Sequence, residues 1–470
     1  MNTTLRKLAP AVAAGLTLGA LALTGCETIK PQVTPKHTSG AADYSVYVAM
    51  GTSVTAGTES GGLVDRHQRQ SYPALFAKAA GSLAFDMPFV DQDGLPPLSR
   101  LVQVGPPLII TNAGRTPGNP TNFALPTAYH DLGVPGSILP DVADTSLYAS
   151  TPGRAAAFAL IQRHRGPLLL QLFGQFNPPP TFVSFEYGAN ELLGPASNGS
   201  GTPLLPAPLW ANYLANTLGE IRLNLPNVKM ALFTIPDVTS IPLVTTIPPL
   251  VLGPDGQPVK PFVPILGMDG GVARPLIYGQ DYILLTAGAL LAGGTGYPVG
   301  TTSYVSGNPV PGNGNPLPDN VVLSATEVVS LRAAQAAYNN AIRAQAATYH
   351  WAVVDLAGLL HTASTTGVHV QGTTYTTAFL SGGLESLDGV HPTDLAHGLI
   401  CNAMIEAVNS TYGSTIPLVD LTKSMTASAD RAVEWRSNAV PVPAMADAAQ
   451  HFADLQITGQ VAIPWRTPQP

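Results

Sequence analysis

"YSVYVAMGTSVTAG" (residues 44–57) runs valine and tyrosine into a glycine and then sets a serine at the turn. Tyr44 to Met50 reads as a strand, because those residue types suit a pleated, buried surface. Gly51 ends it, and Ser53 stands where the chain changes direction. A serine in a glycine-rich turn is commonplace, so local sequence alone favours a structural role. The decision rests on the residues at the ends of the later strands.

The same rhythm recurs along the chain. A helix is expected around Tyr72 to Ala80. "FVSFEYG" (182–188) reads as a strand before a helix near Pro206 to Asn224, and "VKMALFTIP" (228–236) as the next strand. Ser324 and Glu327 have capping-box spacing and open a helix to about Tyr349. "WAVVDL" (351–356) is a further strand, and a last helix spans about Thr393 to Asn409. Strands alternating with helices predict a parallel sheet covered on both faces, with its ligand site at the carboxyl ends of the strands. Ser53 falls there. Two stretches break the rhythm, about 84–130 and 238–320, both rich in proline and glycine. Long segments of this kind serve as lids or as packed caps, and the sequence leaves both open for 238–320.

Composition narrows the class. The chain has 470 residues, of which 45% are hydrophobic and only 11% charged, with 46 glycines and 45 prolines. That fits a loop-rich globular fold and excludes a disordered chain. A net charge of −7 without a basic stripe argues against nucleic acid as a partner. Arg6 and Lys7 precede an apolar run, Ala11 to Leu23, that is too short to span a membrane as a mature helix. The run ends "LTGC", which resembles the lipobox of bacterial lipoproteins. Residues 1–25 are therefore expected to be a signal peptide, with Cys26 lipidated and 26–42 a tether. This implies a bacterial envelope protein, lipid-anchored to the outer membrane and facing the periplasm or the cell exterior. Cys401 sits in an apolar helical pattern and is read as a buried small hydrophobe. The segment 413–470 is read as a loosely packed tail.

A serine hydroxyl becomes a useful nucleophile only with a base, a group to orient that base, and donors for the developing oxyanion. In "SLDGVHPTD", Asp388 precedes His391 by three residues across Gly389, so one tight turn can present carboxylate and imidazole together. No H-E-x-x-H or cysteine pair occurs, and His391 and His397 lack zinc-ligand spacing, so no metal and no cofactor is expected. No G-x-S-x-G elbow occurs either, which disfavours the α/β-hydrolase fold. His361 and His369 read as surface residues, and Tyr72, Tyr187 and Trp210 as core.

"GTSVTAG" and "DGVHPT" resemble the first and last blocks of the SGNH, or GDSL-type, hydrolases. Between them "HDLGVPGSILPD" resembles the second block, with Gly136 as its glycine, and "FEYGANELLG" the third, with Asn190 as its asparagine. The four blocks arrive in the family's order, and the resemblance covers roughly 44–240 and 320–412. It implies a three-layer α/β/α, flavodoxin-like sandwich over 43–412, with the two insertions added. It also implies Ser53 as nucleophile, His391 as base and Asp388 as its orienting acid. The oxyanion hole would be the N–H groups of Ser53 and Gly136 and the Asn190 amide. The implied activity is hydrolysis of a carboxylic ester through an acyl-enzyme, as an esterase or lipase. Removal or transfer of acetyl groups on an envelope polysaccharide, or lipid binding by a catalytically weak fold, are the other readings. Two positions depart from the family pattern: Thr52 stands for its aspartate before the serine, and Glu191 for the aspartate after the asparagine.

Overall fold

Five parallel strands form the central sheet of the computed structural model: β1 (Tyr47–Gly51), β2 (Asp131–Gly133), β3 (Phe182–Glu186), β4 (Lys229–Phe233) and β5 (Ala352–Val354). Their spatial order is β5-β4-β3-β1-β2. Read from the β2 edge this is 2-1-3-4-5, the flavodoxin-like order, with its topological switch between β1 and β3. The structure describes residues 37–424 apart from 104–108, 145, 150, 151, 164, 199–202, 306 and 423. The expected leader and Cys26, and most of the tether and tail, lie outside the described residues.

Side chains alternate across the sheet as the pleat requires. Val48, Met50, Val183, Phe185, Met230 and Leu232 face one core. Tyr47, Ala49, Phe182, Ala231, Phe233 and Ala352 face the other. With both faces covered, the longer strands are apolar almost throughout, which explains the continuous hydrophobic runs. Helices α1 (Ser53–Ala56) and α2 (Tyr72–Ala80) follow β1, and α3 (Pro152–Gln162) follows β2. Helices α4 (Ala189–Asn198) and α5 (Ala207–Asn224) follow β3. Then come α6 (Ala325–Tyr349), α7 (Leu356–Thr365) and α8 (Asp394–Tyr412). No described helix is long and apolar enough to cross a membrane.

Local signals set several boundaries. The Ser324 hydroxyl accepts from the Glu327 N–H at 3.4 Å, and the Glu327 carboxylate accepts from the Ser324 N–H at 2.8 Å. Thr393 caps α8 by accepting from the Ala396 N–H at 3.3 Å. Such caps contribute about 1 kcal/mol each, and the second one fixes the helix that follows His391. Cys401 is fully buried on α8, as its apolar pattern predicts. At the described ends, the Ala41 N–H donates to the Tyr412 carbonyl at 2.7 Å.

The two insertions do different things. Among described residues, 84–130 contains no helix, and its extended chain includes one small hairpin, Arg100–Gln103 with Ile109–Thr111. The second insertion builds a small core of its own, with Val251, Ile265, Leu276, Ile283, Leu291 and Leu317. It carries two antiparallel hairpins, Leu266–Asp269 with Val272–Pro275 and Thr302–Val305 with Asn308–Pro311.

Candidate active site

Ser53 opens α1 directly beyond the carboxyl end of β1. As the first residue of a helix its N–H has no intrahelical acceptor, so it is available to a ligand. Gly136 lies three residues beyond β2 at φ +76°, a conformation that penalises any side chain. A Cβ there would meet only Arg154 Cγ at 3.7 Å, so glycine is required by the backbone and not by crowding. Asn190 sits in the first turn of α4, just past β3. Its amide donates to the Ser137 carbonyl at 2.7 Å. One N–H therefore ties it to the Gly136 loop, and the second remains for the site.

Asp388 and His391 share the turn before α8. His391 Nδ1 lies 2.7 Å from Asp388 Oδ2. The other Asp388 oxygen accepts from the N–H groups of Val390 and His391, both at 2.9 Å, and from the Ser386 hydroxyl at 3.2 Å. The Gly61 N–H adds a bond to Oδ2 at 2.7 Å. Burial alone would raise the Asp388 pKa, but the His391 imidazole and these donors outweigh it and hold the carboxyl below its ordinary value. The carboxylate stays ionised and favours the tautomer protonated on Nδ1, which leaves Nε2 able to accept a proton.

Ser53, Gly136, Asn190 and His391 all line one cavity of about 270 Å³. Four blocks spread along most of the chain thus meet at the switch between β1 and β3. The remaining walls are mostly apolar, with Leu63, Leu95, Pro96, Ile138, Leu160 and Leu193. Leu95 and Pro96 come from the first insertion, whereas no described residue of 238–320 lines this cavity. The second insertion instead packs about its own small core, and its Ile241 lines a separate pocket with Val390 and Pro392. Its contact with the site is indirect. The Leu243 N–H donates to the Gly389 carbonyl at 2.9 Å, so it braces the turn that carries Asp388 and His391. Gly389 has φ +71°, and a Cβ there would come within 3.0 Å of Leu285 Cδ1.

The position of Thr52 has a physical explanation. Glu186, at the end of β3, directs Oε2 at the Thr52 N–H (3.0 Å), the Thr52 hydroxyl (2.8 Å) and the Thr55 hydroxyl (3.1 Å). The carboxylate behind Ser53 therefore comes from the neighbouring strand, and residue 52 is a donor. Burial raises the Glu186 pKa, against the pull of these three donors. Sequence reading missed Glu186. Its only signal was an acid inside the otherwise apolar strand "FVSFE".

Two more buried carboxylates hold the Gly136 loop. Glu191 Oε1 accepts from the Leu139 N–H at 2.8 Å and the Trp210 indole at 3.0 Å, and burial pushes its pKa up to about 7. Asp141 accepts from the Ile138 N–H at 2.9 Å and pairs with Arg154, while burial pushes its pKa up to about 6. His361 and His369 are exposed, and Tyr72, Tyr187 and Trp210 are buried, as expected.

No family model and no curated protein matches this chain. Two solved structures do. Phospholipase A1 from Streptomyces albidoflavus NA297 is 13% identical at TM-score 0.32, covering 78% of this chain and 98% of its own. A protein described as a GDSL-like lipase, from Parabacteroides merdae, is 12% identical at TM-score 0.33, covering 78% and 97%. Likeness at this level says nothing about activity, so the functional reading rests on the residues around the cavity.

Proposed function

We propose that the chain is a serine ester hydrolase of the SGNH type that acts on carboxylic esters with an apolar acyl group. One observation carries the reading: Ser53, Gly136, Asn190 and His391 face a single cavity, and Asp388 stands behind His391 at 2.7 Å. His391 Nε2 takes the Ser53 proton as Oγ attacks the ester carbonyl. The N–H groups of Ser53 and Gly136 and the Asn190 amide receive the oxyanion. The intermediate collapses by expelling the alcohol, which takes the proton from His391 and leaves an acyl-enzyme on Ser53. Water, deprotonated by His391, then releases the acid and returns the proton to Ser53. Side chains and backbone of this chain supply every group that these steps use.

The apolar walls favour an alkyl acyl chain over the acetyl group of a polysaccharide, whose flanking sugars need polar partners. Placement at a bacterial envelope membrane through lipidated Cys26 completes the proposal and rests on the sequence of the leader alone.

The test uses full-length protein and nitrophenyl esters of increasing chain length. Turnover is expected to favour chains longer than acetyl. Ser53→Ala should lower kcat by about 10⁴-fold or more and abolish fluorophosphonate labelling. A wild-type protein that is inert on every ester and unlabelled would replace this reading with lipid binding.

A further inference from the structure

A second buried constellation lies beside the first and takes no part in the steps above. We propose that Glu59, His67 and Asp394 bind one divalent transition-metal ion, Zn²⁺ by the character of the donors, which bolts the nucleophile segment to the helix behind the base.

The three side chains are essentially inaccessible, at 0%, 2% and 1% exposure. His67 Nδ1 lies 2.9 and 3.0 Å from the two Asp394 oxygens and 3.3 Å from Glu59 Oε2. One donor atom from each residue falls within 4.8 Å of the other two. In a tetrahedral site with bonds of about 2.0 Å, neighbouring ligand atoms sit roughly 3.3 Å apart. The Glu59–His67 separation already has that value, and Asp394 needs to withdraw by a few tenths of an ångström.

The chemistry of the donors points the same way. Two carboxylates converge on one ring nitrogen, and Asp394 has no lysine or arginine within ion-pair reach among the described residues. A neutral imidazole offers one proton to three carboxylate oxygens. A divalent ion would accept both carboxylates and the ring nitrogen at once, and buried charge is tolerated when it is paired in this way. One imidazole and two carboxylates suit Zn²⁺ better than Ca²⁺ or Mg²⁺, which prefer oxygen alone. His67 Nε2 finds no hydrogen-bond partner. The outer hydrogen bond that usually strengthens a ligating histidine is therefore missing, which places the affinity about 10- to 100-fold below that of a fully supported site.

The location gives the ion a consequence. Glu59 follows the nucleophile helix, held by a Thr58 N–H bond to the Ser53 carbonyl at 2.9 Å. His67 lies in the short helix Asp65–Gln68, and Asp394 begins α8 three residues after His391. An ion would thus fix the separation of the Ser53 and His391 segments. Ligands at positions 59, 67 and 394 form no local motif, so a search by spacing passes over them.

The experiment strips the full chain with EDTA, dialyses it, and titrates ZnCl₂ by calorimetry while following thermal unfolding. One equivalent of Zn²⁺ should bind, and the unfolding temperature should rise by a few degrees. Ca²⁺ and Mg²⁺ at the same concentration should do neither. Asp394→Asn and Glu59→Gln should each weaken Zn²⁺ binding at least tenfold. Absence of binding to wild-type protein with a native circular-dichroism spectrum overturns the proposal, whatever the variants do. Binding that both variants retain places the ion elsewhere and overturns it equally. Neither readout is ester hydrolysis, so this proposal and the assignment of Ser53 can fail separately.

Discussion

Ser53 and His391, the proposed nucleophile and base, are held by different kinds of support. Behind Ser53 the brace belongs to the sheet, where Glu186 on β3 gathers two hydroxyls and one N–H of the β1 turn around a single carboxylate oxygen. Behind His391 the brace is mostly backbone, with Asp388 drawing N–H groups from its own turn and Gly61, and Leu243 of the second insertion holding Gly389. The first support is built into the sheet itself, from adjacent strands in register. The second depends on an insertion added to it. Damage to the sheet-side brace should therefore act on nucleophile placement, and damage to the insertion-side brace on the acid–base turn.

The sharpest break on the base side is Asp388→Asn. An amide can present its N–H₂ to Nδ1 and select the tautomer with the proton on Nε2, where it cannot serve as base. A loss of about 10⁴-fold in kcat is expected, with the KM little changed. A loss under tenfold would remove Asp388 from the triad. On the oxyanion side Asn190→Ala should cost about 10²- to 10³-fold in kcat. It deletes an oxyanion donor and also releases the Ser137 carbonyl that steadies the Gly136 loop.

The Gly136 loop adds a pH dependence through Glu191. Its folded pKa is raised to about 7 from an ordinary value of 4.5, so the folded state keeps a proton that the unfolded chain has released. Stability therefore falls as pH rises from about 4.5 to 7 and is level above that, at about 1.4 kcal/mol per unit at most. Glu191→Gln keeps an acceptor for Leu139 and Trp210 but cannot ionise. Unfolding temperatures measured from pH 5 to 8 should decline less in the variant than in the wild type. Parallel curves would show that Glu191 titrates normally.

The insertion-side brace is tested by Gly389→Ala. Positive φ and the approach to Leu285 and the Leu243 N–H together predict a loss of about 1–2 kcal/mol, read as a lower unfolding temperature with a reduced kcat. Leu285→Ala on the same background should recover part of the stability by making room, though not the strain in φ. If Gly389→Ala leaves both stability and kcat unchanged, the second insertion has no hold on the catalytic turn.

Much of this was legible in sequence because it is local. Apolar runs of strand length marked four of the five strands. The capping box at Ser324 and the helix ends at Ala80, Asn224 and Tyr349 were set by neighbours along the chain. The strand β2 is only three residues long and carries a buried aspartate, so it gives no hydrophobic run to read. Asp388 and His391 were visible as a pair because one turn carries both. Partners that meet only in space were not visible: Glu186 with Thr52, Leu243 with Gly389, Glu191 with Leu139, and His67 with Asp394. Each is a contact between segments far apart along the chain, and nothing in either segment alone requires the other.

Thr52 gives the finest test of the sheet-side brace. Thr52→Ala removes one of three donors to Glu186 and should lower kcat about threefold to tenfold, below the ~1.5–3 kcal/mol that a hydrogen bond to a charged group can contribute, because two donors remain. Thr52→Ser should behave as wild type. Thr52→Asp, which introduces the residue found at this place in the sequence block that the segment resembles, should do worse than alanine here, because it sets a second buried carboxylate against Glu186 and one of them must take up a proton. Glu186→Gln on that background supplies an amide donor in place of the charge and should recover activity. The double variant then exceeds the sum of its single changes, with a coupling of about 1 kcal/mol or more. Additive losses in that cycle would mean that Glu186 and Thr52 act independently, and the carboxylate behind Ser53 would be structural filling with no part in placing the nucleophile.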